Sequence, residues 1–182
     1  MSAIQLFRDH HKTIRGLFRQ LEAVDRRAHE MKDGVVQETF MELEVHFQLE
    51  EEYLYPVIRS KADEDGRATL EECRGAHLAI RNRIQALRER GIADEYFNMG
   101  LTTLIADAEE HLEEEETVLF PLAKMNLGDQ ALAPPEEQIR RRHRELMLQP
   151  RYREALPEVV QNPNGGEQIR KGSGHLPGGP AS

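Results

Sequence analysis

Tryptophan is absent from this chain, and six Phe with four Tyr make up only 5% of its 182 residues. So few large flat side chains argue against a sandwich or barrel, and 31% charged residues favour helices with a wet surface. The single cysteine, Cys73, excludes an internal disulfide, and no stretch near the N-terminus combines the charged, apolar and cleavage regions of a signal peptide. The compartment expected from these absences is a reducing cytoplasm. No apolar run approaches the roughly 20 residues of a membrane-crossing helix, so no membrane partner is expected. Positive charge is also short: 24 basic against 33 acidic residues leave a net charge of −9, which disfavours whole-surface binding to nucleic acid. A Ser/His/Asp arrangement, a glycine-rich phosphate loop and a nucleotide fingerprint are all missing, which leaves hydrolase and nucleotide-dependent readings without support.

What the chain does have is apolar residues at helical spacing almost everywhere up to about residue 127. The spacing predicts an all-α protein. A first helix runs from about Ala3 to Met31 with Ile4, Phe7, Ile14, Leu17, Phe18, Leu21 and Val24 on one stripe, and the Lys32-Asp33-Gly34 stretch is expected to end it. A second spans roughly Val35 to Arg59. A third starts near Thr69, an N-cap with Glu72 completing a capping box, and carries Leu78, Ile80, Ile84 and Leu87. A fourth runs from about Ala93 to Asn126. Connections this short make successive helices antiparallel neighbours, hence an up-down-up-down four-helix bundle over residues 1–128. Residues 129–149 read as a linker and a short additional helix, Glu136 to Leu148, and residues 150–182, rich in Gly, Pro, Asn and Ser, as a disordered tail.

Two segments repeat each other: "HFQLEEEYLYP" from His46 and "HLEEEETVLFP" from His111. In each, a His is followed four residues later by a Glu (Glu50, Glu115), then by another (Glu51, Glu116), and the segment closes on Leu-aromatic-Pro. Residues four apart share a helix face, whereas five apart swing away, so Glu51 and Glu116 are the poorer partners for their histidines. Leu43, Phe47 and Leu54 lie on the same side as His46 and Glu50, and Leu104, Val118 and Leu119 roughly match them in the fourth helix. The carboxylates thus point inward, with no Lys or Arg at core spacing to pair with them. A bound metal removes the cost of burying them. His11 in the first helix and His77 in the third each precede two apolar residues by three and seven positions, so the chain reads as a duplicated hairpin. His10 competes with His11 for the inward position. His29, His143 and His175 lie outside the repeat and read as solvent-facing or tail residues. The Arg140 to Arg144 run reads as a solvated face or a partner for the acidic helices.

In the order and spacing of His11, His46/Glu50, His77 and His111/Glu115, with the two Leu-aromatic-Pro endings, the chain resembles the hemerythrin-like, HHE cation-binding family over about residues 4 to 125. Ferritin-like bundles use the opposite order, Glu-x-x-His. The resemblance implies a four-helix bundle holding two non-haem iron ions with an oxo or hydroxo bridge. It assigns His11, His46, His77 and His111 as nitrogen ligands and Glu50 and Glu115 as bridges. It also implies binding of O2, NO or peroxide (H2O2) in oxygen handling or stress response, with catalysis left open. Oxygen-carrying members have a further histidine where this chain has Cys73, and place the fourth-helix carboxylate where it has Glu116. The broader family's spacing selects Glu115.

Overall fold

The computed structural model describes residues 3–23, 29–131 and 136–149, with side chains for 4–23, 32–125 and 136–149. It contains five helical rods. α1 is Ala3–Ala23; α2 runs through His29–Leu49, a π-helical turn Glu50–Leu54, and Tyr55–Lys61. α3 is Glu64–Arg90; α4 runs through Phe97–Glu114, a second π-helical turn Glu115–Leu119, and Phe120–Ala131; α5 is Glu136–Met147. Among the described residues no helix is long and apolar enough to cross a membrane.

Three expected boundaries move. Lys32, Asp33 and Gly34 do not break the chain but lie in the first turns of α2. Lys32 bonds across the bundle to Asn98, Gln37 bonds back to Asp33 at 3.2 Å, and the roughly 1 kcal/mol that a helical glycine costs is outweighed. Thr69 is not a cap: α3 starts five residues earlier, where Asp63 accepts a hydrogen bond from the Gly66 backbone N–H at 3.0 Å. The Thr69 hydroxyl instead turns back onto the Asp65 carbonyl inside the helix, at 3.1 Å. At the other end Gly91, at φ 74°, stops α3, and a turn over 92–96 delays α4 to Phe97. The expected tail lies outside the described residues.

Cross-helix pairs run in opposite senses, as antiparallel neighbours require. Arg81 and Arg88 of α3 reach Glu51 and Glu44 of α2, and Arg15 of α1 reaches Glu109 while His11 reaches Glu116 of α4. The bundle core is divided. One apolar cluster holds Ile14, Phe18, Phe40, Phe47, Ile80, Ile84 and Leu104; the other holds Phe7, Leu54, Leu70, Cys73, Leu119 and Phe120. Leu78 and Val118, expected inside, are 60% and 41% exposed. α5 packs on α2, burying Ile139 and Leu146 in the second cluster with Met41, Val45 and Leu49. Each such side chain taken fully from water contributes about 1.5–3 kcal/mol. Arg142 grips Glu52 through two nitrogens, at 2.8 and 2.9 Å, so part of the basic run partners an acidic helix.

Candidate metal centre

Each π-turn begins at the glutamate of a His-x-x-x-Glu pair. Its widened ring is closed by an N–H five residues on: Tyr55 to the Glu50 carbonyl, Phe120 to the Glu115 carbonyl. A proline follows at once in both copies. Pro56 and Pro121 have no N–H to donate, and in a regular α-helix the ring would press on the carbonyl four residues back, so the wider turn makes room for it. The carbonyl of Glu116, which Pro121 cannot serve, is taken by the Arg8 guanidinium at 3.4 Å. The wide turn aligns residues five apart. Glu50 and Tyr55 therefore face the same space, as do Glu115 and Phe120.

Into that space, between the two apolar clusters, point His11, His46, Glu50, His77, His111 and Glu115, all essentially buried. Their donor atoms form two groups, His11/His46/Glu50/Glu115 and Glu50/His77/His111/Glu115, each with all its atoms within 4.8 Å of one another. Nε2 of His46 and of His77 lie 3.4 Å from the two oxygens of Glu50; Nε2 of His11 and of His111 lie 3.4 and 3.7 Å from the two oxygens of Glu115. Each glutamate thus spans both groups. Nε2 of His77 faces Nε2 of His111 at 2.9 Å.

The residues present fit cations. His11 Nε2, both nitrogens of His46, both oxygens of Glu50, Nδ1 of His111 and Oε2 of Glu115 are buried with no hydrogen-bond partner among the described residues. Leaving so many polar atoms dry and unpaired costs about 1–3 kcal/mol apiece. Burial, then the neighbouring Glu115, lifts the Glu50 carboxyl well above its usual range; burial also lifts Glu115, but His111, His11 and His77 hold it below the usual carboxylate range. Burial drives His46 well below 6.5 and His111 to about 4, so these two imidazoles stand neutral, with lone pairs to offer. Imidazole with carboxylate, and no thiolate, suits a divalent transition cation.

Spacing alone did not reveal two outer features. Glu51 and Glu116 stay outside both groups, yet each accepts from Nδ1 of a histidine on another helix: Glu51 from His77 at 2.8 Å, Glu116 from His11 at 2.7 Å. Arg81 and Arg15, each one turn beyond those histidines, bind the same carboxylates at 2.7 Å. Burial would raise Glu51, but His77 and Arg81 bring it down to about 2. The second feature is Tyr55, whose hydroxyl donates to Glu115 Oε1 at 2.7 Å and lies 3.0 Å from His77 Nε2. Its ring stacks on His77 with centroids 5.3 Å apart, and its counterpart Phe120 stacks on His11 at 5.5 Å. Only one half of the repeat thus carries a hydroxyl. Cys73 belongs to neither group and is packed in the apolar cluster. His10 lies beside the centre, its ring 5.0 Å from that of His46, and bonds to Glu42 at 2.7 Å.

A family model described as the Hemerythrin HHE cation binding domain matches residues 2–123. Among solved structures, a hemerythrin HHE cation binding domain-containing protein from Mycobacterium kansasii superposes with a TM-score of 0.69 at 19% identity, covering 80% of this chain and 87% of that one. No curated protein matches the sequence. An antiparallel helical bundle, a buried His/Glu cluster repeated with its hairpin, and a family match over most of the folded length agree: the chain belongs to the hemerythrin HHE cation-binding family.

Proposed function

We propose that this chain is a cytoplasmic non-haem di-iron protein that binds O2, NO or peroxide in oxygen handling or in response to oxidative or nitrosative stress. The observation that carries the reading is the sharing of Glu50 and Glu115 between two ligand groups, which suits two adjacent cations bridged by carboxylates. Two irons there would supply redox-active positions for a small oxidant. The four histidines with Glu50 and Glu115 would hold the cations; Glu51 and Glu116 fix the rings of His77 and His11. The apolar clusters on either side keep bulk water away.

Tyr55 favours a second reading, a redox enzyme that consumes peroxide or nitric oxide. Its hydroxyl is a buried proton source against Glu115 and His77, and turnover of an oxidant needs protons delivered inside a dry cavity. Metal analysis should give two irons per chain, and stopped-flow mixing of the reduced protein with O2, NO and peroxide in turn separates the readings. Reversible O2 or NO binding marks a carrier or buffer, and repeated loss of peroxide or NO marks an enzyme. Irons inert to all three, or a protein that retains only zinc, would leave an iron-holding or structural role.

A further inference from the structure

Outside the centre, a third set of ligand atoms converges where α1, α2 and α5 meet. Nε2 of His10 lies 2.7 Å, and Nε2 of His143 3.2 Å, from the same oxygen of Glu42, Oε2. The two imidazole planes cross at 79° with centroids 5.0 Å apart, and one donor atom from each residue lies within 4.8 Å of the others. His143, read from the sequence as solvent-facing, is half-buried against Glu42. A cavity of about 360 Å3 opens on the cluster, with Thr13 and Asp9 on its wall beside Leu6 and Ile139.

We propose that His10, Glu42 and His143 form a mononuclear site for a divalent transition cation of the zinc or ferrous class, separate from the pair of positions in the bundle core. Two imidazoles and one carboxylate on one side of a cation, with space left for water, is a common catalytic-zinc and non-haem-iron donor set. Alkaline-earth cations are poorly served, because they take six or more oxygen ligands and, of the three residues, only Glu42 offers oxygen. Arg140, also on the cavity wall, is engaged by Glu136 at 2.8 Å and adds positive charge, which opposes any cation not gripped by the imidazoles. The cation would tie α5 to the bundle through His143. His10 and His46 are near neighbours, so the third site has to be counted with the core already filled.

The test uses the full chain, loaded with iron until uptake is complete, dialysed against a weak chelator that clears the partly exposed third site but not the buried core, and then titrated with Zn2+ in a calorimeter. Wild type should take one further equivalent. His143→Ala and Glu42→Gln should each weaken that equivalent by at least about 100-fold while the iron content stays at the wild-type value. Glu42→Gln keeps a hydrogen-bonding side chain of the same shape, so it guards against simple loosening of α5. Co2+ in place of Zn2+ should give a visible band in wild type that both variants lack. If wild type takes no further equivalent, or the variants bind it as tightly, the triad is an ion pair that docks α5, and the proposal fails. The difference between wild type and variants is read independently of whether the core holds two irons, one or none.

Discussion

Nδ1 of His77 is held by Oε1 of Glu51 at 2.8 Å, and Arg81 grips both oxygens of that carboxylate, Oε1 at 2.7 Å and Oε2 at 3.3 Å. The same Arg-Glu-His chain recurs as Arg15, Glu116 and His11. Outer partners of this kind usually contribute 10–100-fold to metal affinity by fixing ring and tautomer. Glu51→Gln and Glu116→Gln should therefore each release metal about 10–100-fold more readily, whereas Glu50→Ala and Glu115→Ala should abolish paired binding. Metal per chain after dialysis against graded chelator reads both. Unchanged retention in the Gln variants would mean that the two outer glutamates serve only the bundle surface.

Tyr55→Phe removes one oxygen from the cavity and leaves the stacking on His77 in place. Iron content should match wild type, and consumption of peroxide, if the protein turns it over, should slow by at least about 100-fold through loss of a positioned proton donor. Cys73→Ala, in the apolar cluster and a member of neither ligand group, should leave iron content and peroxide rate unchanged. A peroxide rate that follows Cys73 and ignores Tyr55 would reverse these roles.

Acid should unfold the metal-free protein through its histidines. The folded value of His111 lies at about 4, against 6.5 for the free side chain, and those of His46 and His77 are also lowered, in each case chiefly by burial. Below about pH 6.5 the unfolded chain takes up protons that the folded one refuses, so stability is fully present above that pH and is lost on the way down to about 4. At about 1.4 kcal/mol per pH unit, His111 alone accounts for about 3 kcal/mol. Thermal melts of metal-free protein at pH 7, 6, 5 and 4 should show a steady fall, and His111→Gln should flatten it by about one proton. A melting temperature flat over that range contradicts the neutral buried imidazoles.

Leu146 is fully buried beneath α5, whereas Leu148, two residues on, is 69% exposed. Leu146→Ala should cost about 2–5 kcal/mol in urea unfolding, and Leu148→Ala no more than about 0.5 kcal/mol. Equal effects would show that α5 does not share the bundle's cooperative unit.

The histidines and glutamates of the centre were legible because a four-residue spacing keeps two side chains on one face whether the following turn is α or π. Tyr55 was not, because five residues on from Glu50 it would sit about 140° away on a regular helix; only the π-turn brings it round. The signal for that turn was present in the proline after each aromatic residue, inside an otherwise helical pattern. The same shift in register left Val118 outside. Thr69 was misread for a different reason: it fits a capping box by sequence, but Asp63 offers a carboxylate cap one and a half turns earlier, and the longer helix wins.

Because Tyr55 stands where the other repeat has Phe120, a bundle that reads as one hairpin pattern written twice has a head and a tail. At one end His77 and His111 share their space with a hydroxyl; at the other, His11 and His46 meet the faces and edges of Phe120 and Phe7. Two cations seated there would not be interchangeable. One would have a hydroxyl within reach and the other would lie chiefly against aromatic rings, so any molecule lying between them would be met by different chemistry at its two ends.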